Sequence, residues 1–225
     1  MHKYSYFSGN WLAIKMNNSD VHKRLPLMTG IVYDLGCGVR PYEHDIKRYA
    51  NSYVGVDWSN TLHGLRAEIV ADLNQPLPIE SSVANTVVSF QVLEHLREPQ
   101  TMVNEAFRIL RDNGRIFISV PFQWWVHEAP YDYFRYTCYG LEHILSKAGF
   151  VDIQVEAING FWVMWALKFN YHTSRYIRGH RPTRMLMRVL LTPLWFLGQA
   201  IAPLLDKIDF NGTETTGYFA TARKP

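Results

Sequence analysis

The sequence predicts an α/β fold, a doubly wound and mainly parallel sheet of seven strands, with a helical insertion before the last strand. Two observations predict it. Between residues 31 and 157, short apolar runs rich in β-branched residues alternate with segments of helical spacing. The first apolar run also ends at a glycine-rich turn, and the second ends at an aspartate, which is typical of ligand-binding α/β sheets.

The first half of the chain supplies four strands. Residues 31–35 form a continuous apolar run before a turn, which predicts a buried strand. Pro41 suits the first turn of a helix that runs to about Tyr49. The next three predicted strands are 52–56, 68–71 and 86–90.

The remaining elements follow in the same alternation. Apolar residues at helical spacing predict a helix over 99–110, and the turn Asp112-Asn113-Gly114 ends it. The elements predicted after this turn are a strand at 115–120, a helix at 139–148, a strand at 151–157 and a last strand at 216–222.

These elements divide the chain into four segments. An N-terminal cap segment, 1–29, precedes the sheet core, 30–157. The segment 158–215 is far too long for a loop, so it is predicted to carry helices of its own. The segment 216–225 then returns to the core as its final strand.

Composition sets the class of protein. With 225 residues, 48% of them hydrophobic and 19% charged, the chain can bury a large core, which excludes wholesale disorder. Two cysteines provide neither a disulfide framework nor a zinc cluster. The first 30 residues lack the apolar run of a signal peptide, so a cytoplasmic location is expected.

The turn Asp34-Leu35-Gly36-Cys37-Gly38 follows the first strand and predicts close approach of the backbone to a ligand. Asp57 ends the second strand about 20 residues further on, the separation at which a carboxylate meets a ribose diol in doubly wound folds. Pro41 occupies the position where a dinucleotide fingerprint would place its third glycine. A nucleoside without phosphates therefore fits better, and an NAD-dependent oxidoreductase is the alternative.

Five segments, in the right order, resemble the motifs of class I S-adenosylmethionine-dependent methyltransferases, of the type 11 kind, which have a Rossmann-like fold. The resemblance covers about residues 30–156, and five motifs in register are far more specific than one. The five segments are 32–38, 55–59, 71–73, 88–96 and 110–115.

The resemblance implies S-adenosylmethionine as cofactor and assigns the site residue by residue. Gly36 and Gly38 would approach the methionine part, while Asp34 and Cys37 belong to the same turn. Asp57 would accept hydrogen bonds from both ribose hydroxyls.

The resemblance assigns the remaining cofactor contacts to later segments. Trp58 would cover the adenine, although it could equally serve packing alone. Asp72 would accept from the adenine amine, Leu73 would contact the adenine through its backbone, and Gln91 would line the methionine pocket.

Methyl transfer from a sulfonium is an in-line displacement, and it needs a base only when the acceptor is a hydroxyl. The catalytic candidates are His127, in the loop after the fifth strand, and Glu94 and His95, after the fourth. Glu94 and His95 could equally have structural roles, and Asp132 and Arg135 could simply pair to fix the loop. No spacing indicates a metal site.

The loop sequence from His127 to Thr137 resembles bacterial methyltransferases that modify glycans or lipid-linked saccharides. The chain is therefore predicted to methylate an oxygen, or less readily a nitrogen, of a small-molecule, sugar or lipid-linked acceptor. A non-catalytic S-adenosylmethionine-binding partner protein is a further alternative. Nucleic acid is not expected as a partner, because no base-clamping motif follows the fourth strand.

The insertion concentrates the positive charge. No Asp or Glu occurs from Ala157 to Leu205, and 189–205 carries no charge at all. Three interpretations remain open: a helical lid that buries its own apolar face, a helix pair at the inner face of a membrane, or a dimer surface. The membrane interpretation would place peripheral contact in 158–205. Six basic residues lie inside the acid-free stretch: Lys168, Arg175, Arg178, Arg181, Arg184 and Arg188.

Overall fold

The computed structural model describes residues 5–59 and 66–225. Its strands are β1 Gly30–Leu35, β2 Ala50–Asp57, β3 Ile69–Val70, β4 Ala84–Phe90, β5 Leu110–Pro121, β6 Val151–Ala157 and β7 Gly217–Arg223. Its helices are α1 Trp11–Arg24, α2 Glu43–Ile46, α3 Pro99–Ile109, α4 Cys138–Lys147, α5 Phe161–Ser174 and α6 Arg181–Ile208. The predicted α/β fold, with helices inserted before the last strand, is confirmed.

The seven strands form one sheet in the order β3-β2-β1-β4-β5-β7-β6. β1 pairs in parallel with β2 on one side and with β4 on the other, whereas β7 runs antiparallel to β5. The chain therefore adds β2 and β3 on one side of β1 and then adds β4 and the later strands on the other side. Ligands of doubly wound folds bind outside the carboxyl ends of the strands at such a reversal.

The core lies on the central strands and on the helices that cover them. Val32, Val87 and Phe117 are fully buried, as expected where helices cover both faces of a parallel sheet. α3 begins at Pro99, which suits the first turn of a helix. Four of its apolar residues, at helical spacing, are buried: Met102, Val103, Ala106 and Ile109.

Most elements lie within two residues of their predicted bounds, and two differ more. β5 begins at Leu110 rather than at residue 115, because Leu110 already pairs with Ala84 across an irregularity in the ladder. The turn Asp112-Asn113-Gly114, which was predicted to end the helix, lies instead inside this longer strand, where Asn113 adopts a φ of 62°, and α3 ends earlier, at Ile109. The helix predicted to run from Pro41 to about Tyr49 is α2, a single turn of four residues.

The chain divides into two compact units. The first contains His22–Glu156 and Gly217–Pro225, and the second contains Ala157–Thr216 with the described residues 5–21. The predicted cap segment 1–29 is therefore split between the units, and its residues 1–4 lie outside the described part. Gln199 of α6 explains the grouping in the second unit, because its side chain accepts from Leu12 N at 3.0 Å and donates to Ser8 O at 3.1 Å.

Candidate functional site

A cavity of about 420 Å³ lies within the first unit, where the turns after the parallel strands come together. Seven of the nine predicted cofactor residues line it: Gly36, Gly38, Asp57, Trp58, Asp72, Leu73 and Gln91. The other two, Asp34 and Cys37, are buried beside the cavity rather than in its lining.

The glycine turn after β1 has a backbone that other residues would strain. Gly36 has a φ of 83°, and a Cβ built on it would lie 2.4 Å from Val92 Cγ2. The turn is tied to β2, because Gly36 N donates to Val56 O at 2.8 Å. Backbone alone therefore forms this wall of the cavity.

Asp57 joins the turn after β1 to the turn after β2. Its Oδ2 accepts from Gly38 N and its Oδ1 from Trp58 N, both at 2.8 Å. The side chain is nearly buried, with 7% of the residue exposed. Each carboxylate oxygen can accept a second hydrogen bond, so the group remains able to bind a diol from the cavity.

Asp34 and Cys37 support the turn from behind. The Tyr53 hydroxyl donates to Asp34, and burial raises the pKa of this carboxyl to about 7. Burial likewise raises the pKa of the Cys37 thiol to about 12, so the thiol is not a nucleophile at neutral pH. A direct contact of either side chain with the cofactor stays a prediction.

The turn after β3 presents a second carboxylate to the cavity. Asp72 Oδ1 accepts from Asn74 N at 2.9 Å and from Asn74 Nδ2 at 2.7 Å. Asn74 Oδ1 in turn accepts from Arg97 N and Glu98 N, at 2.8 and 3.0 Å. Asn74 lines the cavity and sequence reasoning missed it. The signal was an Asn two residues after an Asp in a turn, where a side chain often caps the backbone.

Gln91 follows β4 with a φ of 57°, an uncommon conformation for a residue other than glycine. It is held there because its N donates to Ser119 O at 2.8 Å and its Nε2 to Ser119 Oγ at 3.2 Å. Strained residues of this kind cluster at functional sites. Trp58, which also lines the cavity, packs edge-to-face on Tyr131, with ring centroids 5.2 Å apart.

His95 lies in a single 3₁₀ turn after β4, Leu93–His95, and lines the cavity. Its Nδ1 is 2.7 Å from Tyr131 O. A carbonyl oxygen can only accept, so Nδ1 donates this bond, and in the neutral ring Nε2 is the acceptor nitrogen. Nε2 is 3.6 Å from Glu94 Oε1 and 3.8 Å from Glu128 Oε2.

The loop after β5, residues 122–137, is rich in aromatic residues, and we call it the aromatic loop. It is anchored on the same 3₁₀ turn. Tyr133 N and Phe134 N donate to Glu94 O at 2.9 and 3.2 Å, and the Tyr136 hydroxyl donates to Leu93 O at 3.2 Å. These bonds place the aromatic loop at the cavity, which Glu128, Tyr131 and Tyr133 help to line.

Within the aromatic loop, Arg135 donates to both oxygens of Asp132, at 2.6 and 2.7 Å. Burial alone would raise the pKa of Asp132, but the Arg135 guanidinium and His127 N hold it at about 2. The pairing of Asp132 with Arg135 that the sequence left open is therefore present.

Glu94, His95 and His127 form a cluster, with one ligand atom of each within 4.8 Å of the others. Their spacing in the sequence concealed it, because His127 comes from the aromatic loop. The His95 and His127 rings lie 5.0 Å apart, but His127 does not line the cavity. Glu94 is fully buried, which raises its pKa to about 8. Carboxylate and imidazole are metal-binding groups, so the cluster could hold a cation.

The fold and this cavity, lined by a glycine turn and by the carboxylates of Asp57 and Asp72, are those expected of a nucleoside-binding α/β protein. A family model described as a methyltransferase domain matches residues 33–118. Residues 33–118 thus match a methyltransferase domain, as the resemblance to class I S-adenosylmethionine-dependent methyltransferases implied. The predicted family, fold and cofactor are confirmed, whereas the roles of single site residues stay predictions.

Known relatives agree with this assignment. A protein of Mycolicibacterium smegmatis named "Probable S-adenosylmethionine-dependent methyltransferase" is 32% identical over 40% of this chain and 37% of its own length. The ubiquinone biosynthesis O-methyltransferase of Xylella fastidiosa is 26% identical over 44% of this chain and 45% of its own. This chain therefore spans less than half the length of either relative.

A solved structure shows the same fold over nearly the whole chain. An S-adenosylmethionine-dependent methyltransferase from Archaeoglobus fulgidus superposes with a TM-score of 0.60 and 16% identity, covering 95% of this chain and 94% of its own. At that identity the likeness concerns the fold alone.

Proposed function

We propose that the chain transfers the methyl group of S-adenosylmethionine to an oxygen of a small-molecule, sugar or lipid-linked acceptor. One observation carries this proposal. The cavity that holds the predicted cofactor residues is also lined by His95, whose Nε2 is free to take a proton.

The residues present fit the cofactor. A nucleoside needs a carboxylate for its diol and an acceptor for its adenine amine, and Asp57 and Asp72 line the cavity as such groups. The methionine end needs close backbone approach, and Gly36 supplies it where a Cβ would clash. When bound, S-adenosylmethionine supplies a sulfonium-activated methyl group for in-line displacement.

The protein's own contribution is alignment and removal of one proton. As a hydroxyl acceptor takes the methyl group, its proton would pass to His95 Nε2. The bond from Nδ1 to Tyr131 O keeps the His95 ring oriented. His127 packs on the His95 ring and lies 3.3 Å from Asp132 Oδ2 through its Nδ1. We therefore assign His95 as the base and His127 as a positioning residue.

Two considerations support oxygen over nitrogen. A neutral amine can attack without prior loss of its proton, so a histidine poised at the cavity is best explained by a hydroxyl acceptor. The relative from Xylella fastidiosa is named an O-methyltransferase, which agrees with this choice.

The test is methyl transfer from tritium-labelled S-adenosylmethionine to a panel of phenols, sugars and polyprenyl-linked saccharides. With an acceptor found, His95→Ala should lower turnover roughly 10²–10⁴-fold and leave S-adenosylhomocysteine affinity within about twofold. His143→Ala, on α4 and outside the cavity lining, is the matched control and should retain activity.

Three results would contradict the proposal. A His95→Ala loss below about threefold would remove the base assignment, since a positioned base contributes far more. Activity that chelators abolish and a divalent ion restores would indicate that Glu94, His95 and His127 bind a metal ion, and that His95 is not the base. Tight cofactor binding without transfer to any acceptor class would indicate a non-catalytic binding protein.

A further inference from the structure

The second unit exposes a long apolar helix face. On α6, seven large apolar residues recur every three or four positions and are 41–84% exposed. We call this stripe the apolar face of α6. Its members are Leu186, Leu190, Leu194, Leu197, Ile201, Leu204 and Ile208.

The opposite stripe of α6 is already occupied by its own unit. It is buried and carries polar side chains with fixed partners. Trp195 Nε1 donates to Thr173 Oγ1 at 2.9 Å, Gln199 bonds residues 8 and 12, and Asp206 Oδ2 accepts from Gly160 N at 2.8 Å. Since these bonds fix the rotation of α6, the apolar face stays on the surface of the second unit.

Exposed arginines lie between α5 and α6 and on the first two turns of α6, where helical spacing puts those of α6 on the side away from the apolar face. Within residues 5–59 and 66–225, none of them forms an ion pair with a carboxylate, and the sequence from Ala157 to Leu205 contains no acidic residue. The arginines, all exposed, are Arg175, Arg178, Arg181, Arg184 and Arg188. The surface therefore combines large apolar side chains with unbalanced positive charge, which is complementary to an anionic lipid surface.

Exposed aromatic side chains on α5 and in the turn before α6 also suit a lipid surface. Trp165 and Phe169 stack with centroids 5.6 Å apart and are 51% and 37% exposed. Tyr176, in the turn before α6, is 51% exposed. Such rings favour the boundary between headgroups and acyl chains.

Length and composition alone would also allow α6 to cross a bilayer. Its most apolar 18-residue window has a mean hydropathy of 1.5, and 22% of that window is buried. The buried stripe argues against crossing, because Leu191 at one end and Asp206 at the other both pack within the second unit. A helix that packs on its own unit along this length has only its outer face available to a membrane.

From this surface we infer that the second unit docks on an anionic phospholipid bilayer, with the apolar face of α6 in the headgroup boundary and the arginines on lipid phosphates. This inference does not depend on methyl transfer. Each basic residue near such a surface strengthens binding about fivefold, so three together are worth roughly 100-fold.

The test is co-sedimentation of the full chain with vesicles of phosphatidylcholine, with and without phosphatidylglycerol. The wild type should bind the anionic vesicles, and added salt should weaken binding. The triple variant Arg178→Gln, Arg181→Gln and Arg184→Gln should lose roughly 100-fold in affinity. Its matched control carries the same charge change on the first unit, at exposed positions Arg48, Arg111 and Arg115, and should bind like wild type.

A variant of the apolar face separates the membrane from other occupants. Leu190→Ser with Leu197→Ser should weaken vesicle binding while the protein remains monomeric and binds S-adenosylhomocysteine as before. Equal binding to neutral and anionic vesicles, or none to either, would overturn the inference. So would a wild-type dimer that these two changes dissociate, because a second copy would then cover the face.

Discussion

Substitution of Gly36 by alanine tests whether the turn after β1 is shaped as described. A Cβ at this position would lie 2.4 Å from Val92 Cγ2 and 2.6 Å from Cγ1, at a φ of 83°. A left-handed backbone costs a residue with a Cβ about 1–2 kcal/mol, and overpacking costs about 1–3 kcal/mol. Gly36→Ala should therefore lower the free energy of unfolding by about 2–5 kcal/mol.

Urea unfolding measures this loss, and Val92→Ala separates its two parts. In the double variant the overpacking part should be recovered, whereas the backbone part should remain, which a double-mutant cycle resolves. Gly140→Ala is the matched control, because its Cβ would meet nothing closer than 3.4 Å. If Gly36→Ala unfolds like Gly140→Ala, or if Val92→Ala recovers nothing, the described turn is wrong.

Two further predictions concern buried carboxyl groups. Burial raises the pKa of Glu94 to about 8, so the folded protein holds a proton that the unfolded chain releases near pH 4.5. The free energy of unfolding of the wild type should then fall by up to about 1.4 kcal/mol per pH unit across this window. Thermal unfolding should show that Glu94→Gln becomes more stable relative to wild type from pH 5 to 8. A stability difference that stays constant over this range would refute the prediction. Asp132→Asn should cost about 1–3 kcal/mol at pH 7, because Asp132 accepts from Arg135 and His127 N. Since the pKa of Asp132 is lowered to about 2, this loss of stability should shrink as the pH falls toward 2. Urea unfolding measures it, and a loss that does not change with pH would contradict the ion pair of Asp132 with Arg135.

The cofactor side of the cavity was accessible from the sequence because its residues sit where parallel strands end. Asp57 ends β2 and Gly36 follows β1 directly. Carboxyl ends of adjacent parallel strands share one edge of the sheet, so linear position nearly fixes spatial position. Asp34 and Cys37 are the exceptions, and the Asp34 carboxylate is turned away by its hydrogen bond from the Tyr53 hydroxyl behind the turn.

The acceptor side was not accessible in the same way. His95 lines the cavity and His127 does not. This arrangement depends on the hydrogen bonds from Tyr133 N and Phe134 N to Glu94 O. Bonds between two loops leave no periodic trace in a sequence. Asn74 was missed for the same reason, because its side chain bridges to Arg97 N and Glu98 N.

The insertion shows where local rules are overridden. Pro193 and Pro203 would ordinarily interrupt a helix, yet α6 runs unbroken from residue 181 to 208. Burial of Trp195 and Gln199 on its inner stripe supplies tertiary stabilisation that no propensity scale contains.

Calorimetry with S-adenosylhomocysteine tests most directly whether the cavity binds S-adenosylmethionine through Asp57. Asp57→Ala should weaken binding by about 1.5–3 kcal/mol, or roughly 10–150-fold, the range for lost hydrogen bonds to a charged group. Asp152→Ala, which removes an exposed carboxylate paired with Arg223, should bind like wild type. An Asp57→Ala protein that is folded and binds S-adenosylhomocysteine with wild-type affinity would contradict the account.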